Sequence, residues 1–427
     1  MHTLRISILL LAALLVVSCH SPKQTASSPG KPITPGAGKP VPARPPVDTV
    51  VWKPGARPAP PERPANTAGP YRIALVLPFL TNQFNEGAVP DKSTLALQFY
   101  GGARLAAEEL SRQGGPDLKI DVVDSQLSDA EFQSAMRNPL LADAQVIIGP
   151  FRPTHVSLLA PQARSRRQIV LSPETPNSDL VSDFPDFLQC KPSLRAHCEA
   201  IVEHVLRKYT SADVTLVCKQ KETERLTYFQ NVLRKKGLPA FREWIVPDNT
   251  ASVSDADLRS RLKPGKTSVF IVPSWASQDF INTFLRKLKD ENAPVTVYGM
   301  PQWADFENIE PEFFFDNNVH IPQAAYIDYN RPEVVAFQKA FFDAYGTIPD
   351  AYAFNGYDIT LFAGRMLRQY GLSFPEKQDR ADFTGLHTRM RFRPVGAATP
   401  ETRSFDYLEN SFVHILRFNR FGYAPAD

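Results

Sequence analysis

The chain is expected to form an α/β protein of two successive open, mostly parallel sheets, and three observations lead there. From Tyr71 onward, short apolar runs alternate with amphipathic stretches, the pattern of repeated strand–helix units. That pattern restarts after Phe187-Leu188-Gln189. A body of roughly 350 residues also exceeds what one hydrophobic core comfortably serves, so the two runs read as two lobes of one protein.

The elements follow in order. Ile73-Ala74-Leu75-Val76-Leu77 is an all-apolar first strand stopped by Pro78. Ser93 or Thr94 caps a helix whose apolar positions Leu95, Phe99, Leu105, Ala106 and Leu110 recur at helical spacing, and Gly114-Gly115 ends it. Residues 118–123 form the second strand, 130–141 a weaker helix, 145–148 the third strand ending in Gly149-Pro150, and 169–171 the fourth, ending in Ser172-Pro173. In the second run a helix over 194–209 precedes a strand at 214–217, and a helix over 222–236 precedes one at 241–246. The strand at 268–272 leads into a helix over 278–288, and 295–299 is the next strand. Segments 388–393 and 411–418 alternate strictly enough for a two-stranded ribbon finishing the second lobe, with Arg389, Arg391 and Arg393 on its solvated face. Ligands of such sheets sit at the carboxyl ends of the strands, which singles out the loops 78–92, 150–154, 172–177, 218–224, 273–276 and 300–306.

Two segments of different texture precede this body. A lone Arg5 and the apolar run 6–17 form a signal-peptide core too short to span a bilayer, and Val16-Val17-Ser18-Cys19 resembles a bacterial lipobox. Residues 1–18 therefore read as a lipoprotein signal peptide and Cys19 as the lipid-bearing start of an exported chain; ordinary cleavage that leaves a bare cysteine is the alternative. Residues 22–70 hold 14 of the 39 prolines and few apolar side chains, too little to offset the entropy of ordering. We read residues 19–70 as a disordered tether able to reach up to roughly 150 Å from the lipid. The segment 1–70 carries +6 of the net +3, so the body is left at −3 and gives no electrostatic reason to expect nucleic acid. His20-Ser21-Pro22 brings no acidic residue behind the anchor, and the outer membrane, facing the periplasm, is the expected location.

The order Ile73-Ala74-Leu75-Val76-Leu77-Pro78-Phe79, Phe99-Tyr100-Gly101-Gly102-Ala103-Arg104-Leu105-Ala106, Val146-Ile147-Ile148-Gly149-Pro150 and Leu171-Ser172-Pro173-Glu174-Thr175 resembles the type 1 periplasmic-binding fold. Residues 337–345 followed by Pro349, then Asn355-Gly356-Tyr357-Asp358 opening a helix to Leu367, are similar to the crossover region of branched-chain amino-acid-type binding proteins. The resemblance covers residues 71–427. It implies two Rossmann-like lobes, residues 71–190 with 328–373 and residues 191–327 with 374–427, and a ligand cleft between them. It also implies that amino-acid binders hold the ligand carboxylate with a hydroxyl and amides after the third strand, and the ammonium after the fourth. Here Pro153 stands where a serine would be wanted and Pro176 where a threonine would, and proline offers neither hydroxyl nor N–H.

The cleft candidates are then Arg152 for an anion and Glu174 for a cation, with Thr154, Ser172, Thr175 and Ser274 as polar neighbours and Phe79, Phe151, Trp275 and Tyr326 as aromatic walls. Phe313-Phe314-Phe315 cannot turn all three rings to one core, which leaves one exposed as a partner contact. No nucleophile-elbow, phosphate-loop, dinucleotide or zinc-protease motif occurs, and the histidines have no paired-ligand spacing, so neither catalysis, cofactor nor metal is expected. Cys190 and Cys198 can pair across the start of the second lobe, whereas Cys218 ends an apolar strand and reads as a buried small hydrophobe. Two readings remain. One is a substrate-binding component of a transport or sensing system, holding an amino acid, peptide or cell-wall fragment and meeting a transporter permease. The other is a non-enzymatic lipoprotein that regulates a peptidoglycan synthase, since the body also resembles outer-membrane activators of such enzymes.

Overall fold

The computed structural model describes residues 69–84, 89–114, 117–176, 180–380, 382–396 and 405–426. Cys19, the signal peptide and the tether as far as Ala68 lie outside the described residues.

The first lobe opens with β1 (Tyr71–Leu77), α1 (Thr94–Arg112), β2 (Leu118–Asp124), α2 (Asp129–Ala135), α3 (Pro139–Ala142), β3 (Val146–Ile148), α4 (Pro153–Ser165), β4 (Ile169–Ser172) and β5 (Phe187–Gln189). The helix expected over 130–141 is two helices. Ser128 and Glu131 close a capping box at the first, and Asn138 caps the second with Pro139 in its first turn, so a fresh start interrupts the run. The chain then builds α5 (Leu194–Lys208), β6 (Val214–Lys219), α6 (Leu226–Lys235), β7 (Arg242–Val246), α7 (Asp255–Arg259), β8 (Ser268–Ile271), α8 (Gln278–Asp290), β9 (Val295–Tyr298), α9 (Pro311–Asp316) and β10 (Val319–Gln323) in the second lobe. It returns to the first through α10 (Pro332–Tyr345), α11 (Ala351–Tyr370), β11 (Phe383–Thr384), β12 (Arg389–Met390), β13 (Phe392–Val395) and β14 (Tyr407–Asn410), and ends in the second with β15 (His414–Asn419) and β16 (Gly422–Pro425).

Each lobe has one seven-stranded sheet, in the order β13-β14-β5-β4-β3-β1-β2 and β16-β15-β10-β9-β8-β6-β7. Apolar runs such as Ile73–Leu77 are buried because helices cover both faces, the condition for parallel strands. On one face of the first sheet, α1 and α11 cross so closely that a methyl on Gly102 would fall on the Ala353 carbonyl, and one on Gly356 on the Phe99 carbonyl. Asp350 accepts the amides of Tyr352 and Ala353, which starts α11 one turn before the Asn355 opening expected from sequence.

Three expectations are corrected. Residues 392–395 and 407–410, assigned from sequence to the second lobe with the rest of 374–427, are strands of the first sheet: Leu408 pairs beside Leu188, and Phe392 opposite Asn410. The ribbon between 388–393 and 411–418 does not form, since β15 pairs with β10 and β16 instead; alternation marks a strand without naming its partner. Cys190 and Cys198 are free, as is Cys218, and all three are buried. The first two sit in different cores, Cys190 with β1 and β4 in the first lobe and Cys198 on the inner face of α5 in the second. In the Phe313-Phe314-Phe315 run, the first two rings are buried and Phe315 is exposed.

Candidate functional site

After β3 the chain passes through Gly149-Pro150 to Phe151 and Arg152, and α4 begins at Pro153. The Phe151 ring stands edge-on to Phe99 at 5.1 Å and stacks on Tyr352 at 6.3 Å. Arg152 is exposed at the start of α4, and the Thr154 hydroxyl donates to Asp129 (2.8 Å). After β4, the Ser172 hydroxyl is buried with no hydrogen-bond partner among the described residues, and the Thr175 hydroxyl donates to the Phe151 carbonyl (3.2 Å). Glu174 accepts from Lys191 Nζ and from Asn355 Nδ2, both at 2.8 Å, so one carboxylate ties the loop after β4 to the first chain crossing and to α11. Burial, and then the nearby Glu174 carboxylate, push the Tyr352 phenol above its ordinary range, which keeps it a neutral donor. Phe79 is set apart: its ring packs on Tyr100 at 6.0 Å and its amide donates to Asp124, a core-edge position.

The second lobe presents a different half. The loop after β6 turns as a 3-10 segment, Gln220–Arg225, that carries Glu222 inward. Glu222 is buried and accepts from Arg225 (2.8 Å) and from the Ser274 hydroxyl. The Arg225 guanidinium lies 3.4 Å above the Trp275 ring, a cation–π stack, and Trp303 Nε1 donates to the Ser274 carbonyl at 2.7 Å. Ser274 and Trp275 are thus joined to the loops after β6 and β9. Lys219, at the end of β6, is held by the Pro247 and Thr250 carbonyls.

Tyr326 belongs to the second crossing. Its amide donates to the His387 carbonyl (2.7 Å), and burial, with Asp328 second, raises its phenol pKa. It also lines a cavity of about 550 Å³ that takes in Pro301, Gln302, Gln323 and Ala351. Tyr326 is the one sequence-selected candidate on that cavity; the other nine do not line it. The structure therefore gathers Phe151, Arg152, Thr154, Ser172, Glu174 and Thr175 on the first lobe, and Ser274 with Trp275 on the second. Lys191, Asn355, Glu222 and Arg225 were not foreseen as contacts. Glu222 lies in a loop already singled out and Arg225 directly after it at i, i+3 spacing, a signal that was available; Lys191 and Asn355 become partners of Glu174 only through tertiary structure.

Among the described residues no group of three or more His, Cys, Asp or Glu is placed to hold a metal ion, and no helix is long and apolar enough to cross a membrane. The buried Lys219 and Glu222 are engaged in bonds that hold loops together.

The model of a family described as periplasmic binding protein matches residues 91–405. No curated protein matches the chain. Among solved structures, one attributed to a branched-chain amino acid ABC transporter of Rhodospirillum rubrum is 16% identical, covers 83% of this chain and 99% of its own, and superposes with a TM-score of 0.59. A branched chain amino acid ABC transporter periplasmic ligand-binding protein from Burkholderia xenovorans is 12% identical over 83% of this chain and 94% of that one, with a TM-score of 0.54. An ABC transporter substrate-binding protein from Desulfitobacterium hafniense is 16% identical over 84% and 100%, with a TM-score of 0.51. At such identities the likeness concerns the fold. The match over residues 91–405, together with two helix-covered seven-stranded sheets and three chain crossings, places the chain in the periplasmic binding protein family, with the type 1 two-lobed fold.

Proposed function

We propose that this protein is a lipid-anchored, periplasm-facing ligand-binding protein, the substrate-binding component of a transport or sensing system, which closes its lobes on a small polar molecule. The observation that carries the proposal is Glu174, a strand-end carboxylate on the ligand-facing side of such sheets, held between Lys191 and Asn355 and still partly open to solvent. The second lobe carries a charged aromatic platform of its own among its strand-end loops, Arg225 on Trp275. With Pro153 at the start of α4 in place of a hydroxyl, the anion-holding role falls to Arg152. A ligand bearing both charges, such as an amino acid, a peptide or a cell-wall fragment, suits this set, and differential affinity for the closed form drives closure. The neighbours named for branched-chain amino acid transport agree with that size of ligand. Its chemistry is recognition without turnover.

A thermal-shift screen of the purified protein against amino acids, peptides, sugars and muropeptides tests this. Ligand at 100 times Kd stabilises by about 2.7 kcal/mol, and Arg152→Ala or Glu174→Ala should abolish the shift. No hit, together with recovery of a cell-wall synthase by crosslinking, would replace the proposal with the regulatory reading, which the long proline-rich segment 22–70 favours. Cys19→Ala should release the protein from membranes; retention would contradict the lipid anchor.

A further inference from the structure

A second cavity, of about 490 Å³, lies at the hinge; it shares Tyr326 and His387 with the first and includes none of the loops after β3, β4, β6 and β8. Its walls are one side of α5, the second crossing at residues 326–331, the first-lobe segment 384–391, and the third crossing with the start of β15. Four guanidinium groups line it, Arg207, Arg331, Arg389 and Arg391, against two carboxylates, Glu203 and Asp328. The fold already uses several of these. Arg331 donates to the Gly385 and Leu386 carbonyls (3.3 Å each), Glu203 meets Lys236 at 3.4 Å, and Asp328 accepts the Asn330 amide at 3.0 Å. Arg389 and Arg391 are different. Arg389 has no carboxylate at ion-pair distance among the described residues and rests its guanidinium 5.4 Å from the Phe412 ring. Among the described residues Arg391 has one carboxylate partner, Asp382, at 3.6 Å with both side chains more than half exposed, a pair of small value. Two residues apart on an extended segment, the arginines face the same way about 7 Å from each other.

We propose that this hinge cavity is a second binding site, for a small molecule carrying two oxyanion groups, such as a dicarboxylate or a diphosphate. Arg389 and Arg391 each take one group by charge-assisted hydrogen bonds, while the Phe412 ring and His414, edge-on to it at 4.7 Å, form the floor. Because the walls come from both lobes and from two of the crossings, an occupant favours one lobe–lobe angle, and by linkage it changes cleft affinity as much as cleft ligand changes its own. This site does not depend on the cleft reading.

The test is calorimetric titration of the whole protein with inorganic pyrophosphate, and separately with citrate, at constant ionic strength. The proposal expects saturable one-to-one binding by at least one probe, weakened tenfold or more in the Arg389→Gln/Arg391→Gln double variant. It expects affinity within threefold of the parent in Arg389→Lys/Arg391→Lys, which keeps both charges, and in Arg152→Ala, which alters only the cleft. The lysine variant also separates lost binding from lost folding. Non-saturable heats with both probes would overturn the proposal. So would binding that survives the glutamine variant, or binding abolished by Arg152→Ala, which would assign the anion to the cleft.

Discussion

The two lobes share a strand order yet finish it differently. In the first, β14 runs parallel to β5; in the second, β15 runs antiparallel to β10. The hinge explains the difference. A strand that ends at a crossing runs toward the hinge, as β5, β10 and β14 do, whereas β15 begins there and must run away. Their cleft halves differ as well. Glu174 of the first lobe pairs with Lys191 with side-chain exposures of 18% and 42%, whereas Glu222 of the second pairs with Arg225 at 2% and 15%. The second lobe's pair is thus fixed by internal bonds, while the first lobe's carboxylate stays more open to solvent.

The largest effects should come from the cores. Phe284, buried among Trp244, Phe270 and Phe280, should cost roughly 3–5 kcal/mol as Phe284→Ala, and Gly102→Val at the α1–α11 crossing about 3 kcal/mol. Urea unfolding followed by tryptophan fluorescence and by circular dichroism reads both. If the lobes unfold as one body, either variant shifts the single transition; separate midpoints would show that the lobes are thermodynamically distinct.

The ion pairs sharpen the contrast. Arg225→Ala leaves the buried Glu222 with Ser274 alone and should cost about 3 kcal/mol, whereas Lys191→Ala should cost under about 1 kcal/mol in the same assay. Equal losses would remove the distinction between the two pairs.

Acid should weigh more on the second lobe than on the first, where burial lowers His155 as well. Burial pushes His197, His320 and His414, all in the second lobe, down to about 4. A histidine depressed in the folded state takes up protons more readily when unfolded, so its contribution is complete above the ordinary value of 6.5 and fades as pH falls toward 4. The second lobe should weaken across that window, and His320→Gln should flatten the dependence. At the smallest end, Ser128→Ala removes the α2 capping box for about 1 kcal/mol, a change confined to the first lobe.

Most strands of the parallel core were legible along the chain because buried parallel strands are continuous apolar runs bounded by glycine and proline; β10, β14 and β16 were not, β10 because His320 and Pro322 interrupt its apolar run. The loops carrying the candidate residues were legible, since strand ends fix where loops fall. The tail was misplaced because Met390 and Phe392 alternate with arginines as any half-buried strand does, and only tertiary structure sets β13 beside β14 and β14 beside β5. The cysteine pairing failed for a related reason: nine positions of sequence separate Cys190 from Cys198, counted inclusively, but the first crossing sends them into different cores. The partners of Glu174 were hidden because Asn355 lies 181 residues away.

The most direct measurement is a double-mutant cycle on a ligand found by the screen, comparing Kd for the parent, Glu174→Ala, Trp275→Ala and the pair. If one ligand is held between both lobes, each single change weakens binding at least tenfold and the two losses are coupled, since the closed state needs both. Unchanged affinity in either single variant would contradict a ligand clasped between the lobes.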